Sequence, residues 1–170
     1  MEENITPAQI GKKYGLIYGL VSTLINVIPM ILEIQFSMMW IVMQAMNQID
    51  NFKYRIQNDQ VVYYDEIHPS FTDLIKNSDR FKIVNTTFNQ DINQFIKEAR
   101  EKSEKQNNQF IIYDEEIRQD LVYITVFPWF TYSQITNATK LDPKDAIPRI
   151  IWGKYKQVND KLIMPLTLEV

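Results

Sequence analysis

The 170 residues contain no cysteine, one histidine and four glycines. Without cysteine there is no disulfide framework, no thiolate nucleophile, no cysteine-ligated zinc and no redox switch. That absence fits a reducing compartment, and a cytoplasmic setting is expected. Three of the four glycines fall in the first nineteen residues, so little remains for a phosphate-cradling loop, and no G-x-G-x-x-G or P-loop pattern occurs. Positive charge is not in surplus either: 18 Lys and Arg stand against 21 Asp and Glu, a net charge of −3. A chain so balanced has little with which to neutralise phosphates, which argues against a nucleic-acid partner. Hydrophobic residues make up 45% and charged residues 23%, the balance of a globular domain with one core rather than of a disordered or fibrous chain.

The longest uncharged stretch is Tyr14 to Leu32, nineteen residues, of which ten are Leu, Ile or Val. Its length meets the threshold for a membrane span, and those ten residues favour insertion by roughly 3 to 6 kcal/mol. Gly15, Gly19, Ser22, Thr23, Asn26 and Pro29 work against that sum. A buried helix or a replaced segment is the plainer reading of the run; a membrane anchor is the alternative. Residues 36–47 (FSMMWIVMQAMN) are apolar nearly all round, which predicts a core helix with its four methionines as gap fillers. FKYRIQ (52–57) and QVVYYDE (60–66) flank Asn58-Asp59 and read as a hairpin, although Asn-Asp is a poorer turn pair than Asn-Gly. His68-Pro69-Ser70 then breaks the chain, with short strands expected over 71–76 and 81–87. Residues 89–106 carry Ile92, Phe95, Ile96 and Ala99 on one helical face, with Asn89 or Asp91 as cap. Asp114, Glu115 and Glu116 lack a nearby His or periodic oxygen ligands and make a poor metal site. LVYITVF (121–127) is a buried strand, and the stretches 147–158 and 161–170 flank Asn159-Asp160 as a second hairpin. Strands and helices without strict alternation point to an α+β fold, a mixed sheet with helices packed on one face. The last strand runs to residue 170 without cap or turn, so the chain is expected to be cut short there.

Several stretches, in order, resemble the chloramphenicol acetyltransferase family. Asn47 and Phe52-Lys53-Tyr54-Arg55 are similar to the family's Asn and Phe-Arg at the exit of its long helix. Asp65-Glu66-Ile67-His68-Pro69-Ser70-Phe71-Thr72 resembles D-x-V-H-P-x-(F/Y)-T. Ile124-Thr125-Val126-Phe127-Pro128-Trp129 resembles I-S-x-x-P-W. The run from Ile147-Pro148-Arg149 to Gly153-Lys154-Tyr155 resembles A-P-I-x-T-x-(G/A)-K-Y, and Asp160 to Val170 resembles D-(K/R)-(L/V)-L-(M/L)-P-L-x-x-x-V. The resemblance covers about residues 36–170, leaving 1–35 as a divergent N-terminal segment.

The resemblance implies a two-layer CoA-dependent acyltransferase fold and a homotrimer with active sites at the subunit interfaces. The reaction implied is transfer of acetyl from acetyl-CoA to a hydroxyl of chloramphenicol, with no metal. A His base takes the hydroxyl proton, and a side-chain hydroxyl stabilises the tetrahedral oxyanion. Thr125 stands where the family has its oxyanion-stabilising Ser. Lys154 and Tyr155 match the pair that meets coenzyme A. Phe127 and Tyr132 fall around the apolar substrate pocket. Each also has a plain structural reading, Thr125 as a strand-favouring residue and the aromatics as core.

The departures bear on activity. The family's His-His-x-x-x-Asp-Gly follows the strand that here ends at Val170, so the catalytic His is absent from these residues. His68 aligns with a turn outside the catalytic machinery, and Ile151 replaces a common Thr. Three readings follow: an enzyme represented by an incomplete chain; a non-catalytic remnant that folds, trimerises or binds coenzyme A weakly; or a protein anchored through 14–32.

Overall fold

The structure, a computed structural model, describes residues 35–76, 78–112, 118–135 and 145–169. The chain divides into two compact units, and all but the first of these residues belong to the second, Phe36–Val170. The apolar run 14–32 and the acidic trio 114–116 lie outside the described residues.

Five strands form the central sheet: β3 (His68–Leu74), β4 (Phe81–Asn85), β5 (Leu121–Phe127), β6 (Arg149–Gly153) and β9 (Leu166–Glu169), in the order β4-β3-β5-β6-β9. The β3–β5 and β5–β6 pairs are parallel and the two outer pairs antiparallel, so the sheet is mixed. Two hairpins stand apart from it, β1 (Tyr54–Gln57) with β2 (Gln60–Tyr63) and β7 (Lys156–Val158) with β8 (Lys161–Ile163). Asn58 and Asp59 both take positive φ, 49° and 61°, which lets a two-residue turn follow the strand twist without glycine.

Register sorts the sheet's side chains into two faces. One carries Phe71, Val84, Val122, Ile124, Val126, Ile150 and Trp152, all buried in one cluster with both helices. Helix α1 (residues 35–46) contributes Phe36, Met39, Met43 and Met46; helix α2 (Ile92–Gln106) contributes Phe95 and Ala99. The fold is therefore α+β in two layers, with the helices on one side. The expectation that α1 is buried all round is corrected: it buries one stripe and leaves Ile41 53% exposed, because only one of its faces meets the sheet.

Polar contacts fix the helices in place. Asp91 caps α2, its Oδ1 accepting from the N–H groups of Asn93 (2.8 Å) and Gln94 (3.2 Å). At the other end buried Lys82 donates to the carbonyls of Ser103 (2.6 Å) and Asn107 (3.2 Å), the groups a helix C-terminus leaves unpaired. Asn47 clasps Ile67 from both sides, donating to its carbonyl (2.9 Å) and accepting from its N–H (2.8 Å). Arg55, 1% exposed, donates to the carbonyls of Gln119 (2.7 Å), Phe52 (2.7 Å), Tyr54 (2.8 Å) and Leu121 (2.8 Å), tying the first hairpin to the start of β5.

Two expectations change along the chain. His68-Pro69-Ser70 opens β3 instead of breaking the chain. Pro69 is tolerated because it acts through its carbonyl, which accepts from the N–H of Thr86 at 3.0 Å, at the strand's first turn of pairing. The stretch from 147 to the C-terminus forms not one straight hairpin but two paired pieces. β6 pairs with β9, while β7–β8 continues as a separate ribbon.

Candidate active site on the sheet face opposite the helices

The second face of the sheet carries Ser70, Thr72, Tyr123, Thr125, Arg149, Ile151 and Thr167, which the register sets side by side across β3, β5, β6 and β9. None of them belongs to the helix-side core cluster. Thr125 lies in mid β5 opposite Ile151 of β6. It lines a cavity of about 360 Å³ together with Ser70, Tyr123, Phe127, Arg149 and Ile151. A hydroxyl-bearing strand residue in the wall of such a cavity can donate to an oxygen placed inside it.

Charge in the cavity wall is internally matched. Arg149 is held in an ion pair by Asp145 and lies over the Tyr123 ring, 5.5 Å from its centroid. Burial, with the Asp145 charge, pushes the Tyr123 phenol above its ordinary value. Tyr123 therefore stays protonated at neutral pH and can donate a hydrogen bond but not serve as a base.

The predicted site residues are brought together unequally. Thr125 and Phe127 share the cavity. Phe127 stacks on Phe130 at 4.8 Å and meets the edge of Trp129 at 6.1 Å, an aromatic group at the C-terminal end of β5. Tyr132 packs beyond it over β6, its hydroxyl donating to the Ile151 carbonyl at 2.8 Å. Gly153 makes that approach possible: a Cβ there would meet the Phe130 carbonyl, Pro165 Cγ and Tyr132 Cδ1, each at 3.0 Å. Lys154 and Tyr155 follow β6 and are exposed, and the Lys154 N–H donates to the Phe130 carbonyl at 2.7 Å. They thus sit at the strand end next to the aromatic group, outside the cavity wall.

His68 is remote from this site. It pairs with Leu121, four residues before Thr125 on β5, a separation of about 13 Å along the strand. Its Nδ1 accepts from the Phe88 N–H at 3.1 Å, and its Nε2 faces Asp120 Oδ2 at 3.6 Å. Burial lowers its pKa, and Arg118 adds to this, against the pull of Asp120 and Glu66. The ring is a neutral structural link between two loops.

Sequence reasoning gave Ser70 and Tyr123 no role in the site. Ser70 was hidden by the reading of 68–70 as a break. Period-two alternation through 68, 70 and 72 was the available signal, because it puts Ser70 and Thr72 on one face.

A five-stranded mixed sheet among the described residues, with helices packed on one side, defines the class of fold as two-layer α+β. A dihydrolipoamide acetyltransferase of Azotobacter vinelandii has a similar fold, at a TM-score of 0.53 and 14% identity over 91% of this chain and 67% of that one. A solved chloramphenicol acetyltransferase matches at a TM-score of 0.67 and 25% identity, over 76% of this chain and 64% of that one. The chloramphenicol acetyltransferase family profile matches residues 18–170, and the chain belongs to that family. The match begins inside the apolar run 14–32, so most of that run is family sequence. Among curated relatives, chloramphenicol acetyltransferase 3 of Escherichia coli is 23% identical over 134 residues, 78% of this chain and 63% of the relative. A chloramphenicol acetyltransferase of Bacillus pumilus is 24% identical over 132 residues, 77% of this chain and 60% of the relative. The chain thus spans about three fifths of the length of these curated relatives.

Proposed function

We propose that this chain is the scaffold and oxyanion-stabilising part of an O-acetyltransferase that moves acetyl from acetyl-CoA to a hydroxyl of chloramphenicol or a similar small alcohol, in the cytoplasm and as a homotrimer. The observation that carries the reading is Thr125, a hydroxyl in the wall of a cavity on the face of an acetyltransferase-type sheet opposite the described helices. Attack of the alcohol oxygen on the thioester carbonyl turns that carbonyl oxygen into an oxyanion, and collapse of the adduct expels the coenzyme A thiolate. A donor already aimed at the developing charge lowers the barrier by about 3 kcal/mol. Thr keeps the donor that Ser supplies in the family, and the added methyl limits its rotation. Phe127 furnishes an apolar wall for the acceptor, and Tyr132, packed over β6, backs the strand that carries Ile151 in that wall. Lys154 and Tyr155 suit a nucleotide thioester, an ammonium for phosphate and an exposed ring for adenine.

The reading gives these 170 residues no imidazole base beside Thr125. Their single imidazole lies about 13 Å along the sheet from Thr125, and its Nδ1 lone pair is taken by the Phe88 N–H. The 170-residue chain by itself therefore binds its substrates without transferring acetyl.

Incubation of the purified chain with acetyl-CoA and chloramphenicol, following free thiol release, tests this. Release at the buffer rate is expected, together with coenzyme A binding that Tyr155→Ala weakens. Turnover above the buffer rate that Thr125→Ala abolishes overturns the missing-base argument. Coenzyme A binding indifferent to Lys154 and Tyr155 removes the cofactor assignment. Sedimentation velocity reads the trimer directly.

A further inference from the structure

Ser70 lines the same cavity as Thr125, is 2% exposed, and its Oγ has no hydrogen-bond partner among the described residues. A buried hydroxyl left unpaired is unfavourable by more than a pairing would gain, so such a group is out of place in a fold unless something else uses it. A core position of this kind is better served by Ala, which has no polar atom to satisfy.

The geometry points to Ser70 as a specificity-determining residue for the acceptor, hydrogen-bonding a second polar group of the alcohol held over Thr125. This rests on the reading of the cavity as the acceptor site. Ser70 pairs with Tyr123 in the parallel β3–β5 register, and Thr125 is two residues further along β5. One strand spacing across and two residues along separate Ser70 from Thr125 by about 8 Å. Both side chains leave the sheet on the same face, so a ligand lying along the strand seam reaches both. Rotation about χ1 swings the Ser70 Oγ between staggered wells without moving the backbone, and so lets it turn toward a ligand. The acceptor class is accordingly an amphipathic alcohol with a hydrogen-bonding group about 8 Å from the oxygen that is acylated. The nitro group of chloramphenicol stands at a comparable remove from its primary hydroxyl.

Two measurements on the full chain and Ser70→Ala test this. The first is thermal stability without ligand: the variant should melt at the same temperature or higher, because Oγ does nothing for the fold. A melting point lower by several degrees shows that the fold uses the hydroxyl, and overturns the inference. The second is calorimetric titration with chloramphenicol and with its analogue lacking the nitro group. Ser70→Ala should weaken chloramphenicol about fivefold to tenfold and leave the analogue unchanged, the loss of one hydrogen bond. Unchanged chloramphenicol affinity, or equal weakening of both compounds, overturns the inference while the acceptor site stands. A parent chain that binds neither compound overturns both.

Discussion

Replacing Arg55 by Met is expected to be among the most destabilising single changes in the molecule. The guanidinium is 1% exposed and serves four backbone carbonyls, of Phe52, Tyr54, Gln119 and Leu121. Two opposing terms decide the outcome. Burial pulls the Arg55 pKa down, with Tyr64, Asp120 and Asp145 acting against it, so the charge is held at a cost that Met would relieve. Against this, each charge-assisted bond lost is worth about 1.5 to 3 kcal/mol, and the carbonyls stay behind without that donor. Methionine fills much of the volume but donates nothing. The second effect wins, because removing one side of a buried charged network costs about 3 to 5 kcal/mol net. That is a large part of the roughly 5 to 15 kcal/mol a domain has in total. Urea unfolding followed by tryptophan fluorescence should show the midpoint lower by about 2 M, given slopes of about 1 to 3 kcal/mol per molar for small domains. Arg55→Lys should recover only part, since an ammonium cannot spread over four acceptors in a plane. A loss below about 1 kcal/mol in Arg55→Met would refute the reasoning, because the four carbonyls would then have to be satisfied as well by water or backbone.

Gly153→Ala should lower stability by about 1 to 3 kcal/mol through overpacking, since the new methyl meets two side chains and a backbone carbonyl at 3.0 Å. A differential scanning calorimeter reads this, and an unchanged melting temperature would show that the Tyr132 loop gives way freely. The His68 imidazole has its pKa lowered by burial, and its Nδ1 accepts from the Phe88 N–H. The unfolded chain, near the ordinary value of about 6.5, therefore takes up the proton before the folded chain does. Stability is lost as pH falls through about 6.5 towards the lower folded value, and the loss is constant below it. Burial pushes the Asp120 carboxyl up, but the hydrogen bonds and charge of Arg118, with His68, outweigh this and hold it below its usual value. Its own contribution is thus lost only in more acidic solution, below about pH 4. Melting temperatures across about pH 7.5 to 5.5 should fall in the parent and flatten in His68→Asn, which keeps an acceptor near the Nδ1 position. An identical slope in both would assign the effect elsewhere.

Local chemistry was enough to read several elements. The β5 run Leu121–Phe127 and the α2 face of Phe95 and Ala99 were visible because their periods, two and 3.6, are set by backbone geometry within a few residues. The Asp91 cap was one of two candidates, and the structure chooses it by its bonds to Asn93 and Gln94. The strand at His68–Leu74 was misread at its start. Proline disfavours a strand locally, but its carbonyl finds a partner in the N–H of Thr86, just past the end of β4 and distant in the sequence. The split of the last two strands into β6–β9 and β7–β8 was equally invisible, since a run of apolar residues does not say where a ribbon leaves its sheet.

Class of fold and family were legible in the chain alone, because residue type and spacing are local properties that survive in a one-dimensional record. Which side chains share a face emerges only from strand pairing in three dimensions. The register of β3 against β5 brings Ser70 beside Tyr123 and leaves the sole imidazole at the far end of the strand. The same contacts bury Arg55 among carbonyls and leave Ser70 Oγ without a partner among the described residues. Pairing register depends on contacts between residues some fifty apart in the chain, and shifting it by one position would send every side chain of a strand to the opposite face.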